Sequence, residues 1–543
     1  MKKSIIKGNI VDIISRKIFP GEVTITGKRI HSVVETGDTY DNFLLPGFVD
    51  AHVHVESSMV TPIEFSRMAV RHGTVAVVAD PHEIANVSGI PGVRFMVEDG
   101  KKSPLKFLFG APSCVPATPF ESSGASIDAE GIKELLSMEG VGFLAEMMNF
   151  PGVVHDQKDV LQKIKVARKM GMNIDGHAPG LKGEDLKKYC RAGISTDHEC
   201  VTVEEAEEKI KNGMHILIRE GSGAKNFMSL VPLLKKYPER IMFCTDDSHP
   251  DDLLDGHINK LVKKALDLGY DLFDVLRAAS LNAKKHYRLN IGMLQPGDPA
   301  DFIIVNNLRD MKVRSCILDG KEIFDGYTVK IERAHSKPVN NFVARTIEKE
   351  EIRLKTLGDR IKVIKAADGS LITEQEIDTI DRSDPFQVSC IAEDRLKLVV
   401  VNRYRIAPPS VGFIRGFGLK KGAIASSIAH DSHNVICVGT EDDVMVELIN
   451  WIFRHKGGIA LHDGQEVFGM PLPHGGIMSD KTLEDAAKVY RALSDRTSLL
   501  GSTLYAPFMT LSFMSLLVIP ELKLGDKGLF DVNRFAFTPL FAD

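Results

Sequence analysis

The segment GFVDAHVHVESS, residues 47–58, carries four ionisable side chains at every second position: Asp50, His52, His54 and Glu56. In a β-strand, side chains alternate between the two faces, so all four would project to one side while the valines between them pack on the other. Two histidines two residues apart on a strand can bind one metal ion. The alternative is a hairpin with a polar outer face, but exposed strands favour Thr, Lys and Glu over paired imidazoles. The pattern therefore predicts a metal site whose other ligands come from elsewhere in the chain.

Between Val49 and about Leu289, strand-like apolar runs alternate with helix-like segments, which predicts a buried parallel sheet. The runs are VDAHVHV, TVAVVAD, LKFLFGA, GFLAEMM, NIDGHA, GISTDHE, MHILIREG and IMFCTDD. One helix between them has defined ends, because Thr202 and Glu205 have the spacing of a capping box and Gly213 can end it. Eight such units in about 240 residues predict a (β/α)8 barrel, whose functional groups lie at the C-terminal ends of the strands.

The composition changes on both sides of this barrel and predicts three domains. Short strands and Gly-containing turns occur in residues 1–45 and return in 290–340, so we expect one small composite β domain that contains the barrel, residues 46–289, as an insertion. Residues 344–543 contain charged helix-like stretches and Gly-rich segments, and we expect a C-terminal α+β domain there. The fold class is therefore α/β.

Six ionisable residues fall at the ends of the predicted strands. They are His52 and His54 on strand 1, Glu146 on strand 4, His177 on strand 5, His198 on strand 6 and Asp246 on strand 8. Nitrogen and oxygen ligands without cysteine suit Mn²⁺, Fe²⁺, Zn²⁺ or Co²⁺. Six ligands are too many for one catalytic ion with an open position, but they suit two ions that share a bridging carboxylate, for which we choose Glu146.

The overall composition excludes several classes of partner and compartment. The 543 residues carry a net charge of −5 and show no basic stripe interleaved with aromatic residues, which argues against nucleic acid or a membrane surface as the main partner. The seven cysteines are scattered without a CxxC pair, so we expect a reducing, cytoplasmic location. No apolar run is long enough for a signal peptide or a membrane span. A small-molecule ligand fits this composition and net charge best.

Several motifs together resemble the amidohydrolase superfamily and, over essentially the whole chain, its adenine deaminase family most closely. They are GFVDAHVHVESS, ADPHEIANV, FLAEMMNFPGV, DGHAPGL, GISTDHE, REGSGAKN, CTDDSHPDDL and, near the C-terminus, GFGLKKGAIASSIAHDSHN. The resemblance implies hydrolytic deamination of adenine to hypoxanthine and ammonia in purine salvage, by a hydroxide that bridges two divalent ions. It points to Mn²⁺, with Fe²⁺ or Zn²⁺ as alternatives. The multi-domain layout and exposed β segments also lead us to expect a homo-oligomer.

The same resemblance implies a role for each matching residue. His52, His54 and Asp246 would hold one ion, His177 and His198 the other, and Glu146 would bridge them. Asp246 would also move a proton from water to the departing amino group. The acid that protonates N1 stays open among Glu56, Glu83 and Glu220. Orienting roles are expected for Asp50, Asp80 and Asp247, and substrate contacts for His82, Arg219, Glu220, Ser222, His430, Asp431 and His433, of which the last three also suit an additional ion.

Three other interpretations fit the sequence less well. A cyclic-amide hydrolase of the same superfamily would use the same ions to open a ring, but such enzymes usually carry a lysine on strand 4 and lack the C-terminal domain. A non-catalytic scaffold relative would typically lose ligands, and all six are present here. The unrelated zinc deaminases need a PCxxC motif, which this sequence does not contain.

Overall fold

The computed structural model describes residues 3–542, which begin with a small antiparallel β meander. Its strands are β1 (Lys3–Asp12), β2 (Lys17–Thr26), β3 (Arg29–Glu35) and β4 (Phe43–Pro46). Strands β1 to β3 pair as successive hairpins, and β4 returns to lie parallel to β1. The tight turn between β2 and β3 contains Gly27, whose φ of +64° favours glycine.

Parallel strands form the barrel that follows. They are β5 (Phe48–His54), β6 (Thr74–Ala79), β7 (Lys106–Ala111), β8 (Val141–Met147), β9 (Asn173–Gly176), β10 (Thr196–Asp197), β11 (His215–Arg219), β12 (Ile241–Cys244) and β13 (Asp246–Asp247). Segments β12 and β13 are two halves of the eighth predicted run. Since β12 pairs with β11 and β13 pairs with β5, this run closes the ring. The amide of Ser195 joins β10 to β9 through the Ile174 carbonyl at 3.0 Å. The predicted (β/α)8 barrel is confirmed.

Helices connect the barrel strands on the outside. They are α1 (Pro62–Ala69), α2 (His82–Gly100), α3 (Ala129–Leu136), α4 (Phe150–Val154), α5 (Lys158–Lys169), α6 (Gly183–Arg191), α7 (Val203–Lys211), α8 (Phe227–Leu230), α9 (Pro250–Asp255), α10 (Ile258–Asp267), α11 (Leu272–Leu276) and α12 (Asn282–Tyr287). Helix α7 starts as predicted, because Thr202 Oγ1 accepts from the Glu205 amide at 3.3 Å. The Glu205 carboxylate instead accepts from Lys209, so only half of the predicted capping box forms.

Three strands after the barrel complete the N-terminal sheet: β14 (Phe302–Val305), β15 (Val313–Leu318) and β16 (Lys321–Phe324). Strand β14 pairs antiparallel with β4, and the seven strands lie in the order β16-β15-β14-β4-β1-β2-β3. Apolar side chains from both parts of the chain share one core, for example Ile10, Leu44 and Phe302. The exact domain boundaries stay a prediction.

A large, mainly antiparallel sheet dominates the C-terminal part of the chain. Its elements and neighbours are β17 (Leu354–Lys355), β18 (Arg360–Lys365), β19 (Glu374–Thr379), β20 (Phe386–Gln387), β21 (Leu396–Val401), β22 (Ser410–Arg415), β23 (Ala423–Ser426), β24 (Val435–Gly439), α13 (Asp442–His455), β25 (Gly458–His462), β26 (Val467–Pro471), α14 (Leu483–Leu499), α15 (Pro507–Ser512), β27 (Leu522–Gly525), β28 (Gly528–Asp531) and β29 (Ala536–Phe537). Eight strands form the sheet, in the order β19-β18-β22-β21-β24-β23-β25-β26, with one parallel pair between β18 and β22. One face packs on α13 through residues such as Val399 and Phe453, and the other joins the main core.

Among the described helices, none combines the length and the apolar character that crossing a membrane requires.

Candidate metal centre and substrate cavity

The two histidines of β5 point into the mouth of the barrel with their Nε2 atoms 3.2 Å apart. The Nδ1 atom of His54 lies 3.0 Å from the carbonyl oxygen of Asp80. A carbonyl only accepts hydrogen bonds, so in the neutral ring of His54 Nδ1 carries the proton and Nε2 can offer its lone pair to a cation. This contact orients the ring as metal-bound histidines usually are.

Glu146, near the end of β8, presents one carboxylate oxygen to each of two pairs of histidines. Its Oε1 lies 3.3 Å from His54 Nε2 and 3.8 Å from His52 Nε2. Its Oε2 lies 2.7 Å from His177 Nδ1 and 3.3 Å from His198 Nε2. The carboxylate therefore lies between the two predicted ligand groups, as a bridging ligand must.

Asp246 completes the group around β5. Its Oδ1 lies 3.1 Å from His54 Nε2 and 3.5 Å from His52 Nε2, while its Oδ2 accepts from Arg219 Nη1 at 2.5 Å. Burial alone would raise the pKa of Asp246, but Arg219 and the histidines hold it well below its ordinary value. Asp246 is therefore a carboxylate at neutral pH.

Glu199 belongs to this cluster, although the sequence reasoning did not select it. It pairs with Arg219 through both oxygens, at 2.5 and 2.9 Å, and its Oε1 lies 3.4 Å from His198 Nε2. The signal was its position directly after His198 in GISTDHE. If the strand continued, alternation would place the Glu199 side chain on the opposite face from His198. Because β10 ends at Asp197, both side chains can face the same cluster.

The three predicted orienting acids form hydrogen bonds around the ligands. Asp80 accepts from the amides of His82 and Glu146, at 3.1 and 3.2 Å. Asp50 accepts from the Thr245 amide at 3.0 Å and thereby ties β5 to the eighth strand. Asp247 Oδ1 accepts from a serine hydroxyl at 2.5 Å, and Asp247 also lines the cavity.

The cavity over this cluster is closed by the C-terminal part of the chain. Barrel residues form its floor, and an apolar cover comes from Leu371, Phe513, Leu516, Val518 and Ile519. His430 and Asp431 also line it, and the His430 ring stacks on Phe513 with centroids 4.4 Å apart. The two domains therefore share one cavity.

Four of the seven predicted substrate contacts line this cavity, namely His82, Arg219, His430 and Asp431. Glu220 does not, because it follows Arg219 at the end of a strand and pairs with Lys264 Nζ at 2.8 Å. Ser222 does not either, because its hydroxyl donates to Asp252 at 2.6 Å. His433 lies behind the lining, in contact with Glu83.

The candidate acids for proton donation, Glu56 and Glu83, lie at different positions relative to the cavity. Strand β5 ends at His54, so Glu56 lies on a 3-10 turn, accepts from the Ile84 amide at 3.2 Å and does not line the cavity. The expectation that strand alternation carries Glu56 to the same face as His54, as a candidate acid, is therefore corrected. Burial raises the pKa of Glu56 to about 7.

Glu83 does line the cavity and links the barrel to the C-terminal part of the chain. Its Oε1 lies 2.7 Å from His430 Nδ1, and its Oε2 contacts His433 Nε2. Burial alone would raise the pKa of Glu83, but the two histidines hold it well below its ordinary value. Burial alone would lower the pKa of His430, but Glu83 raises it to about 9, so His430 holds the proton of this pair at neutral pH.

Glu83, His430 and His433 place possible ligand atoms within 4.8 Å of one another, but the hydrogen bonds of His433 argue against the predicted additional ion there. His433 Nδ1 accepts a hydrogen bond from the Ala429 amide at 3.3 Å. The proton of the neutral ring must then be on Nε2, which donates it to Glu83 and has no lone pair for a metal. The cluster is a hydrogen-bonded link between domains.

The main cluster at the barrel mouth has a larger set of the donors that divalent cations require. Sets such as His52, His54 and Asp246, or His52, Glu146 and His198, place their ligand atoms within 4.8 Å of one another, all buried. Burial alone would lower the pKa of His54, but Asp246 and Glu146 outweigh it and raise the pKa well above its ordinary value. The carboxylates thus impose a negative potential that a cation would neutralise.

Comparison with known proteins covers both parts of the chain. Residues 43–323 match the model of the amidohydrolase family, and residues 370–536 match that of the adenine deaminase C-terminal domain. The chain is 51% identical to a protein named adenine deaminase from Methanosarcina mazei, over 99% of both chains. Proteins of the same name from Parabacteroides distasonis and Salinibacter ruber are 50% and 49% identical, again over 99% of both chains.

Proposed function

Because this chain belongs to the adenine deaminase family of amidohydrolases, we propose that its hydrolytic deamination of adenine to hypoxanthine and ammonia takes place at two divalent ions. The observation that carries this proposal is the position of Glu146. Its two oxygens face two separate pairs of histidines, an arrangement that a single ion would not need.

His52, His54 and Asp246 would hold one ion, His177 and His198 would hold the other, and Glu146 would touch both. When bound, such ions lower the pKa of a water molecule to about 7, which makes it nucleophilic enough to add to an aromatic carbon. Glu199, 3.4 Å from His198 Nε2, is placed to add a further carboxylate oxygen to the second group. The protein itself holds these donor atoms close together and keeps bulk water away from them.

Asp246 is the group we assign to proton transfer. It is ionised, and its contacts with the two histidines of β5 are made by Oδ1, so Oδ2 can take the proton of the attacking water and return it to the departing amino group. Arg219 donates to the same oxygen and makes it a weak base. We therefore expect the Arg219 contact to lengthen when Asp246 takes up the proton.

Addition of water at C6 places negative charge on N1, which a nearby proton must neutralise. Of the three candidate acids, Glu83 alone lines the cavity, and its proton is held by His430. We assign N1 protonation to this pair, in which Glu83 positions His430 and His430 supplies the proton. His82 and Arg219 complete the polar wall of the same cavity.

The test is ammonia release from adenine by protein that has been stripped with a chelator and reloaded with Mn²⁺, Fe²⁺ or Zn²⁺. We expect no ammonia from the stripped protein and recovery at two ions per chain, with Mn²⁺ as the best ion. Ring-opened products would instead support a cyclic-amide hydrolase, and a protein that never binds metal would support a scaffold. Full activity in the stripped protein would contradict the proposal.

A variant of one proposed ligand tests whether metal binding and deamination depend on this site. His198→Ala should bind less metal and lose deamination while its fold stays intact, because one ligand of the second ion is gone. Unchanged turnover at full metal occupancy would remove His198 from the site.

We further propose that the enzyme acts in purine salvage, because it converts adenine into hypoxanthine, and that it does so in the cytoplasm. We also propose a homo-oligomer. Large apolar side chains are exposed on the N-terminal sheet, among them Ile5 at 52% and Val34 at 53%, and such a surface favours self-association. Sedimentation of the purified protein would measure the oligomeric state.

A further inference from the structure

Asp431 is a buried acid of the cavity whose Oδ2 has no hydrogen-bond partner in the part of the chain that the structure describes. It lies in the loop between β23 and β24, lines the cavity and is 4% exposed. Its Oδ2 is fully buried and has no hydrogen-bond partner among residues 3–542. Burial raises the pKa of Asp431 to about 6, so the group is mainly a carboxylate at neutral pH. Leaving such a group unpaired is unfavourable, and a hydrogen-bond donor on a ligand would remove that cost.

The loop cannot easily turn Asp431 towards another partner. Its neighbours on both sides are fixed, since His430 and His433 bind Glu83. The Ser432 carbonyl accepts from the Tyr404 hydroxyl at 2.6 Å, and the Asn434 side chain donates to the Ser122 carbonyl at 3.0 Å. A carboxylate that is held in place without a partner is preorganised for a donor that arrives from the cavity.

The chemistry of adenine limits what that donor can be. Adenine has two hydrogen-bond donors, the amino group on C6 and the N–H of its imidazole ring, which is N9–H in the main tautomer. The amino group must lie with C6 at the ligands of the barrel, because that is the bond that breaks. An ionised carboxylate offers acceptors only. The ring N–H is therefore the donor left for Asp431.

We propose that Asp431 accepts a hydrogen bond from N9–H of adenine and that this contact makes the site specific for the free base over purines substituted at N9. The inference rests on the proposed function, because it assumes that C6 faces the metal ligands. The apolar cover adds to the selection, since a sugar on N9 would bury its hydroxyl groups against side chains such as Leu516 and Ile519. Sites that bind a substrate N–H in this way reject analogues that lack it, because their own polar group is then left unpaired.

The experiment compares hypoxanthine with 9-methylhypoxanthine as competitive inhibitors of adenine deamination. The wild-type protein should bind hypoxanthine about 100-fold more tightly, the value expected for a hydrogen bond to a charged group. Asp431→Asn keeps a neutral acceptor and should reduce the ratio to about 10-fold. Asp431→Ala removes the acceptor, and its ratio should approach one. Metal content and circular dichroism of each variant are recorded alongside.

Glu121→Gln is the matched control. Glu121 is also buried, with Oε2 unpaired, but it does not line the cavity. Burial, together with the negative charge of Asp431, raises its pKa to about 8, so glutamine resembles its neutral form. This variant should keep the wild-type ratio. A ratio near one in the wild-type protein, or an unchanged ratio in Asp431→Asn and Asp431→Ala, would overturn the role of Asp431. Absence of ammonia release from adenine by metal-loaded wild-type protein would instead overturn the proposed function, whatever the ratios.

Discussion

At the residue scale, two carboxylates of the cavity are kept ionised by different partners. Arg219 holds Asp246, and a pair of histidines from the C-terminal part of the chain holds Glu83. The arginine stays protonated throughout, whereas a histidine can give up its proton. One acid is therefore held by a fixed charge and the other by a source of protons, which matches the two proton-transfer roles that we assign to them.

Glu146 allows a sharp test at the same scale. We expect Glu146→Gln to lower bound metal below two ions per chain and to reduce kcat by at least about 100-fold, because a neutral amide bridges two cations poorly and even orienting groups cost 10–100-fold. Metal analysis and ammonia release measure both effects.

Glu64→Gln is the control for Glu146→Gln. Glu64 is equally buried but pairs with Arg333 at 2.7 Å and does not line the cavity. It should keep full metal content and turnover. If Glu146→Gln retained two ions and full activity, Glu146 would have no bridging role.

The sequence predicted residues in or directly after recognisable strands, and it missed or misplaced residues whose position depends on turns and distant contacts. All six predicted ligands meet at the barrel mouth, although their role in binding metal stays a prediction. Glu56 was misplaced because its strand ends two residues earlier, and a turn breaks the alternation. Glu199 was overlooked because its partner, Arg219, is 20 residues away and only the folded chain brings them together.

At the element scale, a buried lysine holds together the loops that carry two of the ligands. Lys209 Nζ donates to the Ala178 carbonyl at 2.7 Å, to Asp197 at 3.0 Å and to Glu205 at 2.9 Å. Ala178 directly follows His177, and Asp197 directly precedes His198. Helix α7 thus sets the distance between the ends of β9 and β10.

We expect Lys209→Met to lower the free energy of unfolding by about 3–5 kcal/mol, because two carboxylates are left buried without their cation. Burial alone would raise the pKa of Asp197, but Lys209 lowers it from 3.8 to about 2. A lowered carboxylate pKa stabilises the fold above the unfolded-state pKa and loses this effect as the pH falls through the folded-state value. The difference between wild type and variant should therefore narrow from pH 3.8 down to about 2.

Urea unfolding at several pH values measures this difference. Lys211→Met is the control, since Lys211 is exposed and lies 3.6 Å from Glu207, and it should change stability by less than about 0.5 kcal/mol. Equal stability of the Lys209 and Lys211 variants would show that the buried network does not hold the strand ends.

Periodicity identified the barrel strands, but it could not show how the ring closes. The eighth run appears continuous in IMFCTDD, yet Asp246 has a φ of +59° and the run divides between two partner strands. That division depends on Asp50, which is 195 residues away and binds both Thr245 Oγ1 and the Thr245 amide. Local sequence carries no signal for such a contact.

At the scale of the whole molecule, the proposed ions would connect strands β5, β8 and β13 with the residues that follow β9 and β10. Ligands that bind only the folded state stabilise it in proportion to the logarithm of their concentration, by about 2.7 kcal/mol at 100 times Kd. We therefore expect removal of metal by a chelator to lower the Tm, and addition of Mn²⁺ to restore it, as measured by calorimetry.

His52→Ala is the matched variant for this measurement, because it lacks a ligand but keeps the rest of the barrel. Its Tm should change less on chelation than that of the wild-type protein. If the wild-type Tm were the same with and without the chelator, the ions would not join the strands.

The sheet that β4 shares with β14 has a consequence for synthesis. These two strands pair directly, yet residues 43–46 leave the ribosome long before residues 302–305, with the whole barrel between them. During that interval one edge of β4 has no partner, and open strand edges are sites of wrong association between chains. We expect the nascent chain to be most vulnerable to aggregation while the barrel is being translated, and to become protected once Phe302 to Val305 emerge.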